Sequence, residues 1–257
     1  MSFELEFEDR FDGPALDRAR WLPYYLPQWS SRERAAARYE LVPGGGLRLL
    51  IEEEQEPWCP ELDGEVRVSS LQTGVFAGPL GSAVGQHRFA PGAVVREEQE
   101  AERLYTPLYG RIEVRCRATD DPNAMVALWL IGFEDEPERS GEICVCEIFG
   151  RDVTAGSVAV GVGVHPFGDP ALADDFMRVE LAMDARETHL YAAEWTPDAV
   201  RFEVDGEEVK HVRQSPAYPM QLMLGIYELP ATDGGGRTGP YPKAFHVESV
   251  RGYRVAG

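Results

Sequence analysis

The residues of this sequence best suited to chemistry are two carboxylates, Glu142 and Glu147, five positions apart in the run Gly141-Glu142-Ile143-Cys144-Val145-Cys146-Glu147-Ile148-Phe149-Gly150. The rest of that run is apolar and reads as a buried strand. A carboxylate in such surroundings is costly unless it is paired or put to chemical use. Residues two apart on a flat strand share a face, so Glu142 points with Cys144 and Glu147 points the other way. One extra residue between Cys144 and Glu147, a β-bulge, reverses the phase and brings all three to one side. Two carboxylates facing across a groove suit glycoside hydrolysis. In its retaining form they lie roughly 5–5.5 Å apart, one an ionised nucleophile and the other a protonated acid/base. Their mutual repulsion raises the pKa of one of them. Without a bulge, the same spacing describes a strand whose two glutamates face solvent on opposite sides. From spacing alone both readings stand.

The elements that must position this strand are short and punctuated by Gly and Pro. Phe3 to Phe7 alternates apolar and acidic residues, as an edge strand does. A helical patch is expected at Ser31–Arg38. The runs 39–42 and 47–51 flank Pro43-Gly44-Gly45-Gly46 as a hairpin. Glu52 to Gly64 is a polar loop carrying Trp58 and Cys59. Strands are expected over 66–76, 109–117, 125–131, 158–165, 190–195, 200–204, 219–227 and 244–255. Asp205-Gly206 marks a further hairpin. Little of the chain has helical periodicity, so the pattern predicts an all-β antiparallel sandwich or barrel. No internal repeat or change of composition divides the 257 residues, and one domain spanning 1–257 is expected.

Acidic residues outnumber basic ones 44 to 25, a net charge of −19. That balance argues against nucleic acid and anionic membranes as partners, because both are bound through basic patches. It is compatible with a neutral polysaccharide or oligosaccharide. Cys144 and Cys146 are poorly disposed for a mutual disulfide. With no His close in sequence, they also make a poor metal site. The start of the sequence lacks the basic and apolar regions of a signal peptide, so a cytoplasmic location is expected, or secretion if a leader has been removed. Oligomeric state is not legible.

The central run resembles the signature of glycoside hydrolase family 16, Glu-x-Asp-x-x-Glu on a bulged strand. The likeness extends to Phe7-Glu8-Asp9-Arg10-Phe11-Asp12-Gly13, to Tyr109–Arg115 and Ala127–Gly132 ahead of the signature, and to His189–Asp198 followed by Val204-Asp205-Gly206. It implies a concanavalin A-like β-sandwich (jelly roll) of two antiparallel sheets with a concave substrate groove. By this resemblance Glu142 is the nucleophile, Glu147 the general acid/base, and Trp129 a groove residue whose ring stacks on a sugar; read bottom-up, Trp129 serves equally as a core aromatic. His165 falls where the family often has a groove histidine, and it also reads as a satisfied strand-end histidine. Trp58, Trp29 and Tyr227 are loop aromatics that could serve either as sugar platforms or as packing. No cofactor is required, although some family members carry a structural calcium ion on the convex side.

Cys144 is the departure, since the family's middle residue is Asp. A thiol is a weak donor and normally neutral. Losing a negative charge there favours ionisation of Glu147 and weakens it as an acid. The leading expectation is a retaining endo-β-glycosidase of a β-linked polysaccharide, with β-1,3-glucan ahead of galactans. The competing expectation is a catalytically weakened or inactive carbohydrate-binding protein on the same fold.

Overall fold

The computed structural model describes residues 2–231 and 239–256. Sixteen strands run in chain order as β1 Phe3–Asp9, β2 Arg38–Leu41, β3 Leu47–Ile51, β4 Arg67–Gln72, β5 Gly74–Val75, β6 Glu102–Arg103, β7 Gly110–Arg117, β8 Ala124–Gly132, β9 Glu142–Phe149 and β10 Val158–His165. They continue as β11 Asp175–Leu181, β12 His189–Trp195, β13 Val200–Val204, β14 Glu207–Val212, β15 Met220–Glu228 and β16 Lys243–Val255. One four-residue helix, α1, spans Pro60–Asp63.

All pairings are antiparallel, in two main sheets packed face to face. One has the order β14-β13-β12-β7-β16-β3-β2, with β1 also on β16; the other has the order β11-β10-β9-β8-β15-β4. The alternation of each strand explains the packing. In β10 the valines 158, 160, 162 and 164 enter the core between the sheets. The other face of β10 carries Ala159, Gly161 and Gly163. In β8, Ala124, Val126, Leu128 and Leu130 face inward, while Ala127, Trp129 and Ile131 join a second apolar cluster on the outer side of the six-stranded sheet. That cluster holds Tyr25, Leu26, Trp29, Trp58 and Tyr227, supplied largely by the loops before β4.

The expected helical patch at 31–38 is instead a single turn. Ala35 N–H reaches the Ser31 carbonyl at 2.9 Å, but Ala37 N–H then bonds the Pro23 carbonyl at 2.9 Å. Pairing with a distant segment overrides local helix propensity there. Strand β11 was not expected from the sequence. It is an edge strand with a polar, half-exposed sequence, so its hydrophobic alternation is weak.

Candidate active site

The register of β9 changes at the carboxylates. Against β8, Leu128 pairs with Cys146 but Trp129 pairs with Cys144. Against β10, Gly161 pairs with Glu147 while Gly163 pairs with Cys144. One extra residue is therefore accommodated around Val145, as a β-bulge requires. Ile143, Val145, Cys146 and Ile148 fill the core. Glu142, Cys144 and Glu147 line a cleft of about 360 Å³ on the outer face of the six-stranded sheet. The bulge thus also parts the two cysteines, Cys144 to the cleft and Cys146 to the core. Among the described residues no group of three or more His, Cys, Asp or Glu could hold a metal ion.

β10 keeps the floor beside Glu147 open. A Cβ on Gly161 would stand 2.6 Å from the Phe176 ring and 3.2 Å from Glu147 Cβ. At Gly163, with φ at +151°, it would stand 2.3 Å from the Asp175 carbonyl oxygen. Glycine at both positions lets β11 bring Phe176 close, and His165 stacks on that ring at 4.7 Å. His165 Nδ1 meets Asp174 Oδ1 at 2.5 Å.

Trp129 lines the cleft, and its indole N–H donates to the Tyr227 hydroxyl at 3.1 Å. His87 stands edge-on to the Trp129 ring at 5.0 Å, and Phe167 stands edge-on to His87 at 4.9 Å. Burial, with the His165 charge nearby, holds His87 neutral by pulling its pKa down to about 4. Its backbone N–H donates to Glu134 Oε1 at 2.5 Å. Tyr25, Asp63, Phe89, Met125 and Leu229 complete the far side of the cleft.

Trp58 is not a sugar platform. It is 1% exposed, with Tyr25 edge-on at 4.7 Å and Phe89 at 5.1 Å, so neither ring face is open. Trp29 is likewise fully buried. Of the sequence-predicted residues, Glu142, Cys144, Glu147, Trp129 and His165 come together at one cleft, joined by Tyr227. His87, Tyr25, Asp63, Phe89 and Phe167 went unnoticed in the sequence. They sit on long loops with no periodic pattern to give them a direction.

Burial dominates the electrostatics. It pushes Glu142 up to about 8, with Glu147 adding repulsion. Burial also raises Glu147, but His165, Arg178 and Arg151 oppose the rise. Cys144 is driven well above an ordinary thiol by burial and by both glutamates, so it is neutral. Its S–H points to the Gly161 carbonyl at 3.6 Å, not to a carboxylate. The loss of charge at 144 lowers Glu147 only relative to a site with Asp. Against an ordinary carboxyl, the buried position of Glu147 still raises it. Neither glutamate is engaged by a hydrogen-bond donor of the described residues. The cations near Glu147 favour its ionised form and Glu142 lacks such neighbours, so the proton is held more firmly by Glu142.

A two-sheet antiparallel sandwich with a carboxylate pair on a bulged strand, set in an aromatic cleft, defines a class of sugar-processing proteins. The family model of glycosyl hydrolases family 16 matches residues 101–241, more than half of the sequence, and the chain belongs to that family. Among solved structures it resembles the GlcNAcα1-4Gal releasing endo-β-galactosidase from Clostridium perfringens, with a TM-score of 0.84 and 30% identity over 98% of this chain and 62% of that one. The chain thus spans 62% of the length of that relative. The laminarinase from Rhodothermus marinus shares the fold, with a TM-score of 0.64 and 22% identity over 98% of each chain. The laminarinase from Flavobacterium sp. UMI-01 does so with a TM-score of 0.65 and 16% identity, over 98% of this chain and 100% of that one. No functionally curated protein matches the sequence.

Proposed function

We propose that the chain is a retaining endo-β-glycosidase acting on a neutral glycan. The observation that carries this reading is the register shift in β9, which turns Glu142 and Glu147 to the same cleft beside Trp129. Glu147 gives its proton to the glycosidic oxygen as the bond to the anomeric carbon breaks, and Glu142 attacks that carbon. Glu147 then takes a proton from water, whose oxygen displaces Glu142 and restores both carboxyls. The resting proton distribution must be reversed for this to happen. Glu142 has no donor among the described residues, so sugar hydroxyls that donate to it favour its ionised form and leave the proton to Glu147, whose pKa burial already raises.

A β-galactosidic substrate is favoured over the β-1,3-glucan suggested by the sequence, because the likeness at 30% identity is to an endo-β-galactosidase. The test is a reducing-sugar assay on a panel of galactans, galactose-containing glycans and laminarin. Both Glu142→Gln and Glu147→Gln should lower turnover by about 100- to 10,000-fold. NMR of the first product formed should show the β-anomer; an α-anomer would refute double displacement.

The second reading, a sugar-binding relative without turnover, is favoured by one observation: the thiol at 144 orients neither carboxyl. Binding of panel oligosaccharides with no product from any of them would establish it.

A further inference from the structure

We infer that Asp63, held in place by buried Trp58, is a specificity-determining sugar contact at the Tyr25 side of the cleft, one sugar away from the bond beside Glu142. The inference rests on the cleft being a glycan site.

Asp63 ends α1, in the loop between β3 and β4. It lines the same cleft as Glu142 and Glu147 although it lies far from them in sequence. The Trp58 indole N–H donates to Asp63 Oδ2 at 2.6 Å. Oδ1 has no hydrogen-bond partner among the described residues. One oxygen is therefore fixed and the other is free to accept. A carboxylate fixed in this way is a preorganised acceptor for a sugar hydroxyl, and its orientation is set before ligand arrives.

The surroundings match a pyranose. Phe89 and Tyr25 stand beside Asp63 as apolar walls, each in contact with the Trp58 ring. Tyr25 joins the two ends of this wall: its ring meets Trp58, which holds Asp63, at 4.7 Å and Tyr227, which anchors Trp129, at 5.4 Å. The Tyr25 ring thus stands between the Asp63 end of the cleft and the Trp129 end beside the carboxylate pair, and Asp63 contacts a neighbouring sugar unit. Burial raises its pKa, and the Trp58 hydrogen bond opposes that rise by favouring the ionised form. Three carboxyls in one cleft, with histidine as the only basic lining residue among the described residues, also disfavour sulfated or uronic sugars there. The sugar is therefore neutral, with a free hydroxyl directed at Oδ1. Trp58 acts through Asp63 and is a positioning residue.

The test measures kcat/KM on a series of galacto- and laminari-oligosaccharides of increasing length, with calorimetric binding of the same series to the Glu147→Gln protein. In the parent protein, the length at which a sugar reaches the Tyr25 side should bring a stepwise gain. Asp63→Asn should remove about 10-fold or more of that gain, because a charge-assisted hydrogen bond is lost, and should leave shorter substrates unaffected. Trp58→Phe should lower the same step by raising KM with kcat unchanged. The 58/63 double variant should add little to Asp63→Asn, as expected of residues acting as one unit. Equal loss at all lengths, or no loss at any, would overturn the inference. Length-dependent binding that Asp63→Asn weakens, without hydrolysis by the parent protein, would uphold this contact and refute the catalytic reading. Hydrolysis without length dependence would do the reverse.

Discussion

At the residue scale the decisive position is 144. A neutral thiol there leaves Glu142 and Glu147 facing each other with only burial, mutual repulsion and remote cations to divide their proton. Adding a negative charge between them raises the pKa of Glu147, so Cys144→Asp should move the basic limb of the pH–rate profile to higher pH. Superimposable profiles for the two proteins would show that this position does not tune the pair. Tyr227 has a different duty. Its hydroxyl receives the Trp129 indole N–H at the back of the cleft. Tyr227→Phe strands that buried donor, and denaturant unfolding should record a loss of about 1–3 kcal/mol. KM should rise with it, since the Trp129 ring proposed to face the sugar loses its anchor.

At the element scale the site is a property of three neighbouring strands. β9 supplies the bulge, β8 supplies Trp129, and β10 supplies an almost bare floor. The glycines of β10 make that floor possible. Gly163→Ala would set a Cβ 2.3 Å from the Asp175 carbonyl oxygen on β11. Since backbone must move to relieve it, unfolding measurements should show about 2–4 kcal/mol of destabilisation. Gly161→Ala meets a movable ring at Phe176 and should cost less stability, but it should lower kcat by disturbing the ring on which His165 rests. Much of this arrangement is legible in the sequence. The alternating valines of β10 announce its buried face, and the phase problem of Glu142 and Glu147 calls for a bulge between them. Trp58 and Trp29 are different, because type alone does not say whether an aromatic ring packs or is displayed. Both proved to be walls behind the cleft. The loops bearing His87, Asp63 and Phe89 carry no period, so only their long-range contacts give them a direction. β11 escapes for the related reason that an edge strand needs no strict alternation.

At the scale of the whole molecule, the cleft sets acid groups into a sandwich that already carries a net charge of −19. Burial favours the protonated form of two carboxyls here, one in the cleft and one beside it. Glu142 is pushed up to about 8, and so is Glu134 where it accepts the His87 N–H beside the cleft. A carboxyl with a higher pKa folded than unfolded takes up a proton on folding. Its neutral form contributes fully below the unfolded value of about 4.3, and that contribution is lost as pH rises toward the folded value. From these groups, stability should decline between about pH 5 and pH 8 and level off above that range. The general repulsion of a net negative chain acts in the same direction and is reduced by salt. Glutamine at either position keeps the shape and removes the charge. Glu142→Gln and Glu134→Gln should therefore each be more stable than the parent at pH 8, by about 1–3 kcal/mol, with little difference near pH 5. Urea unfolding at the two pH values, in 0.5 M salt to suppress the general repulsion, isolates the two groups. A parent protein as stable at pH 8 as at pH 5, or glutamine variants that lose stability at both, would mean that these carboxyls are ionised in the folded protein and that the cleft holds no buried proton to lend to catalysis.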